Sequence, residues 1–133
     1  MMLEISISAA ASVALTLGVV LGIQRIRRDA DAFFASLGYV HEPESNRYRV
    51  EQSNKERIAL FAHQGFGLAF LSVVLDIPYP FFCTHFDLSH SSMTVIEFKE
   101  QDGYAIPKIL TLANDSHIFR EGLPTNYNNR LLF

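Results

Sequence analysis

A histidine set between an apolar run and a helical pattern is where this chain comes nearest to chemistry. Ile58-Ala59-Leu60-Phe61-Ala62 runs apolar without alternation, His63-Gln64-Gly65-Phe66-Gly67 follows, and a helical pattern then begins with Leu68, Leu71, Val74 and Leu75. A sharp exit from a strand into a helix leaves the first backbone N–H groups without partners, beside the positive end of the helix dipole. An imidazole at the strand's last position is aimed into the crevice where ligands of open α/β sheets bind. There it can donate a hydrogen bond to a phosphoryl oxygen and stabilise charge developing on it. Gly65 and Gly67 would let the backbone approach a ligand closely. The candidate phosphate-binding set is therefore His63, Gln64 and Gly65. A histidine at a strand end is more often a satisfied or surface residue, and that plain alternative stands beside the functional one.

The other reactive side chains point to less. His85, His90 and His117 could join His63 around a metal, but their spacings match no zinc signature, and no metal is expected. Cys83 sits among Phe81, Phe82 and Phe86, where a small buried hydrophobe is the better reading than a nucleophile. Arg25, Arg27 and Arg28 make a modest basic patch that reads as a solvated helix face.

The elements that would position His63 follow from periodicity. Ile23, Ile26, Ala30, Phe33, Phe34 and Leu37 recur at helical spacing, and Gly38 suits the left-handed cap that ends a helix. Tyr39 to His41 and Arg47 to Gln52 read as short strands around a Pro43–Asn46 turn, with irregular loop as the equal alternative. The unbroken apolar run before His63 suits a strand covered on both faces. Asp76-Ile77-Pro78 ends the second helix, and Phe81 to Asp87 reads as a short helix or turn. Met93 to Phe98 and Tyr104 to Leu112 read as an antiparallel pair around Gln101-Asp102-Gly103, and Pro107 favours an edge or a bulge.

Composition bounds the rest. At 133 residues, 49% hydrophobic and 19% charged, the chain is of one-domain, globular type. Its net charge of −3 offers no broad basic field for nucleic acid. A single cysteine excludes an internal disulfide and fits a reducing, cytoplasmic setting. Ile5 to Ile23 carries no charge, and Arg25, Arg27 and Arg28 follow it. A bilayer-spanning helix needs about 20 apolar residues, so an N-terminal membrane anchor is the alternative localisation. Four hydroxyls, at Ser6, Ser8, Ser12 and Thr16, dilute that run.

Several pieces together resemble the C-terminal part of the histidine phosphatases, the phosphoglycerate mutase superfamily. IALFAHQGFGLAFLSVVLDIP is similar to that family's strand, second catalytic histidine and helix. DLSHSSMTVIEF is similar to its next strand, PKILTLANDSHI to its closing strand, and RIRRDADAFFASLGY to the segment that comes before. The resemblance spans about residues 20 to 133 and rests on the order of the pieces.

What the resemblance implies is phosphomonoester hydrolysis through a phosphohistidine. A histidine in an Arg-His-Gly motif takes the phosphoryl group and passes it to water, which divides one hard displacement into two. His63 matches the second, phosphate-binding catalytic histidine, and Gln64 departs from the usual His-Gly-Gly. No Arg-His dipeptide occurs anywhere in the chain, so the nucleophile segment is absent. The expected fold is thus a three-layer αβα phosphoglycerate mutase-like domain, incomplete at its N-terminal side. Residues 1–19 would form an apolar leader, helical if ordered, and residues 20–133 the C-terminal part of the domain. The expected ligand, in an intact domain, is a phosphorylated small molecule, and no cofactor is called for. Whether this chain is an enzyme stays open. The alternatives are a non-catalytic anion-binding or partner-binding remnant, and a membrane-tethered protein of other function.

Overall fold

A computed structural model describes residues 1–8 and 18–127. Strands β1 (Met2–Ser8), β2 (Tyr39–Glu42), β3 (Arg47–Val50), β4 (Arg57–His63), β5 (Met93–Gln101) and β6 (Tyr104–Asn114) form one sheet in the order β2-β3-β6-β5-β1-β4. Helices α1 (Gly18–Ser36), α2 (Gln64–Val74), α3 (Tyr79–His85) and α4 (Ser116–Arg120) lie between and after the strands. Among the described strands only β1 and β4 run parallel; the other pairings are antiparallel.

The first strand is where sequence and structure part most. Met2–Ser8 does not lead into the domain from outside but fills an interior place in the sheet, between β4 and β5. Its apolar residues alternate with Met2, Glu4 and Ser6, and Leu3 and Ile5 are 0% exposed. Period-two burial of this kind is what a strand with one covered face requires. The remainder of the apolar stretch, residues 9–17, lies outside the described residues, and the question of a leader beyond Ser8 lies there with it. No described helix is long and apolar enough to cross a membrane.

Helix α1 follows its expected stripe, with Ala30 and Phe34 buried. Gly38 ends it at a φ of +98°, and a Cβ there would lie 2.2 Å from the Gln52 carbonyl oxygen. That carbonyl is close because the Gly38 oxygen accepts from the Glu51 N–H at 2.8 Å, which ties the helix end to the chain leaving β3. Both the left-handed backbone and the close approach demand glycine. The β5–β6 hairpin turns on Asp102 and Gly103, both with positive φ, as a tight turn between twisted strands needs.

The core lies between the sheet and helices α1 and α2. Phe34 centres it, with ring centroids 4.9 Å from Phe98, 5.4 Å from Tyr48 and 6.0 Å from Phe70. Such edge and tilted ring contacts add to the area buried. Helix α2 is buried on nearly all sides, because the sheet, α1 and α3 all pack on it. Phe61, Met93, Ile106 and Leu110 on the opposite face are exposed. The broad expectation of a mixed α/β domain is met, while α1 and α2 share one face of the sheet.

Strand β4 departs from the doubly covered strand that its apolar run suggested. It stands at the sheet's edge, its exposure alternates, and Phe61 is 80% exposed. Apolar content alone does not report coverage, because a side chain's face depends on its parity along the strand. At the other side, β6 pairs with β3 only through Tyr104 and Ala105, so from Ile106 onward its outer edge is open among the described residues. Pro107 sits on that open stretch, the edge position that its missing N–H favours.

Candidate functional site

The junction singled out by the sequence has the expected local form. Strand β4 ends at His63, which stands in extended conformation (φ −83°, ψ 157°) as the N-cap of α2, and the helix begins at Gln64. The imidazole is exposed and makes no capping bond. Neither Gly65 nor Gly67 uses a positive φ; both are ordinary residues of the helix. Gly67 is buried and Gly65 half-buried.

Gln64 takes a different part from His63. Its side chain is 4% exposed and turns inward, where Nε2 donates to Oδ1 of Asp87. The same carboxylate oxygen accepts the Leu88 N–H at 2.8 Å, so Gln64 and Asp87 pin the start of α2 to the segment after α3. A buried amide is satisfied in this way, as burial demands. Of the proposed set, only the His63 side chain faces solvent; Gln64 and Gly65 can offer backbone alone. Phe66 stacks on Phe70 with centroids 5.7 Å apart.

The remaining histidines are spread through the molecule. His85 ends α3 and is exposed, His117 is exposed in α4, and the His90 N–H donates to the Asn126 carbonyl at 2.8 Å. Cys83 is half-buried, its thiol turned to the Pro80 carbonyl at 3.7 Å.

One titratable centre escaped the reading of the sequence altogether. The His41 side chain is 2% exposed, with Nδ1 2.6 Å from Oδ1 of Asp31 and Nε2 2.9 Å from Oδ2 of Asp76. Both ring nitrogens are thus engaged by carboxylate oxygens. Arg27 Nη1 donates to the second Asp76 oxygen at 2.9 Å, so a guanidinium and an imidazole meet two carboxylates. With its amide turned to donate, Asn46 reaches Asp76 Oδ2 and the Leu75 carbonyl, both at 3.2 Å. The ring lies flat on Tyr48, with centroids 4.5 Å apart. Burial and then the nearby Asp76 and Asp31 charges push the Tyr48 hydroxyl far above its ordinary range. This network locks α1, β2 and the end of α2 together.

A second polar knot holds Glu100. It accepts from the Tyr39 hydroxyl at 2.6 Å, the Ser53 hydroxyl at 2.7 Å and the Asn54 N–H at 3.0 Å. Desolvation raises its carboxyl, but these bonds outweigh that and hold it below the usual carboxylate range. Neither knot has a short-range signature, since the partners of His41 lie ten and thirty-five residues away. Comparison of the chain with protein-family models, curated proteins and solved structures finds no match.

Proposed function

We propose that the chain is a phosphate-binding, non-catalytic relative of the histidine phosphatase domain, in which His63 and the backbone amides of Gln64 and Gly65 face the anion. The observation that carries this reading is the direct passage from β4 into α2 at an exposed imidazole. A helix start directs its backbone N–H groups and the positive end of its dipole along the axis, and the ring can supply a further donor. Hydrolysis asks for more: a nucleophile, a positioned acid and cations on the phosphoryl oxygens. Arg57 stands at the opposite end of β4, paired with Glu4 at 3.2 Å, and does not supply the last of these at His63. On the same reading the three-layer form is completed by a partner chain covering the sheet face of Phe61 and Leu110, and the setting is the cytoplasm.

Titration with inorganic phosphate, followed by amide NMR, tests the site. The expected result is saturable movement of the Gln64, Gly65 and Phe66 amides that is lost in His63→Ala. Unmoved amides at millimolar phosphate would refute it. Turnover of a generic aryl phosphate by the chain alone, abolished in His63→Ala, would overturn the non-catalytic part.

A further inference from the structure

At the far end of the sheet from His63, on the face away from α1 and α2, three cations meet in one cleft. We propose that this cleft, built by Arg47, Lys99 and Lys108 around Tyr104, binds a phosphoryl ligand carrying two or more negative charges. It stands independently of the reading at His63.

The cleft has a volume of about 500 Å³, and its polar lining is Arg47, Lys99, Gln101, Asp102, Tyr104 and Lys108. That volume is within the range of small-molecule sites. Strand parity puts the residues together. Tyr48, Phe98 and Ala105 are buried toward the core, so their neighbours on β3, β5 and β6 turn the other way. Register then sets Gln101 opposite Tyr104 and Lys99 opposite Ile106, with Lys108 one pleat further on.

Arg47 is held ready. Its guanidinium carbon stands 3.6 Å from the centroid of the Tyr104 ring, and Nε lies 3.2 Å from Oε2 of Glu42. Stacking and one ion pair fix the plane of the fork, and among the described residues Glu42 is the one carboxylate paired with it. A planar fork held on an aromatic face is pre-organised for two-point contact with an oxyanion. No ion pair joins Lys99 or Lys108 to a carboxylate among the described residues, although Glu97 stands opposite Lys108 in register. Asp102 is the one acid of the lining. Counting the Glu42 that holds Arg47, three cations stand against two acids, so the cleft keeps an excess of positive charge, and its separate donors suit the several oxygens of a phosphoryl group better than the two of one carboxylate. A longer polyanion fits poorly, because Glu42, Glu51 and Glu97 border the cleft's strands and interrupt any basic track.

The test is a titration of the full chain with sodium pyrophosphate, monitored by amide and Arg Nε NMR, with malonate in parallel. Saturable shifts are expected at Arg47 Nε and at the Gln101, Tyr104 and Lys108 amides, and malonate should bind at least tenfold more weakly. Arg47→Gln and Lys108→Gln, both surface changes, should each weaken pyrophosphate about tenfold, and His63→Ala should leave it unchanged. Shifts that do not saturate, variants that bind as tightly as the parent, or equal binding of malonate would each overturn the assignment.

Discussion

His41 and His63 are placed alike along the chain and used in opposite ways. Each stands near the end of a strand that gives way at once to a helical turn, Pro43–Ser45 after β2 and α2 after β4. His41 points into the angle between α1 and the end of α2 and finds a carboxylate at each nitrogen. His63, on an edge strand, points to solvent and finds none of these. Environment separates the two: a ring enclosed by fixed charges is committed to holding helices together, while an exposed ring stays in contact with water.

Breaking the enclosed ring should cost most. His41→Ala leaves Asp76 nearly buried with Arg27 and the Asn46 amide as its remaining partners, and a loss of about 3 kcal/mol in unfolding free energy is expected. Chemical denaturation measures it, and a loss below about 1 kcal/mol would mean that the ion cluster is not a structural lock.

A smaller effect, visible only in acid, should come from the second knot. Glu100 is held below its ordinary pKa in the folded chain. Its contribution is therefore complete above the unfolded value of about 4.3 and is lost as pH falls through the lower, folded one. In Glu100→Gln the denaturation midpoint should fall less steeply between about pH 5 and pH 2 than in the parent. Parallel slopes would show that the hydrogen bonds from Tyr39, Ser53 and Asn54 do not favour the charged carboxylate.

The smallest change should follow His63→Ala. An exposed N-cap side chain that caps nothing can be removed with a stability change within about 0.5 kcal/mol. A larger loss, read from the same denaturation curves, would place the imidazole among the structural residues with His41 and erase the contrast between them.

What could be read from the sequence tracks how local the physics is. The stripe of α1, its glycine cap, the hairpin at Asp102-Gly103 and the passage from β4 into α2 are settled by residues within one or two turns of each other, and all were legible. Strand β1 was not. Leu3 and Ile5 carry its alternation, but Ile5 also opens a long charge-free stretch whose length suggests a membrane helix instead. The coverage of β4 depended on where it falls in the sheet, which is a matter of topology. The lock around His41 and the cleft around Tyr104 join residues from three elements each, and no spacing rule links them. A net charge of −3 also concealed the local excess of cations in that cleft.

Phe98 gives its N–H to the Met1 carbonyl at 2.8 Å, so its backbone groups face β1 and not the strand on its other side. Pro107, its partner across the hairpin, therefore aims its ring nitrogen outward, along the flank of β6 that no described strand pairs with. An intruding strand seeking a donor at that point would meet a tertiary amide, and Lys108 brings a charge to the next position. The chain thus resists stacking into ribbons without a covering element, and exchanging Pro107 for a residue with an N–H would weaken that resistance.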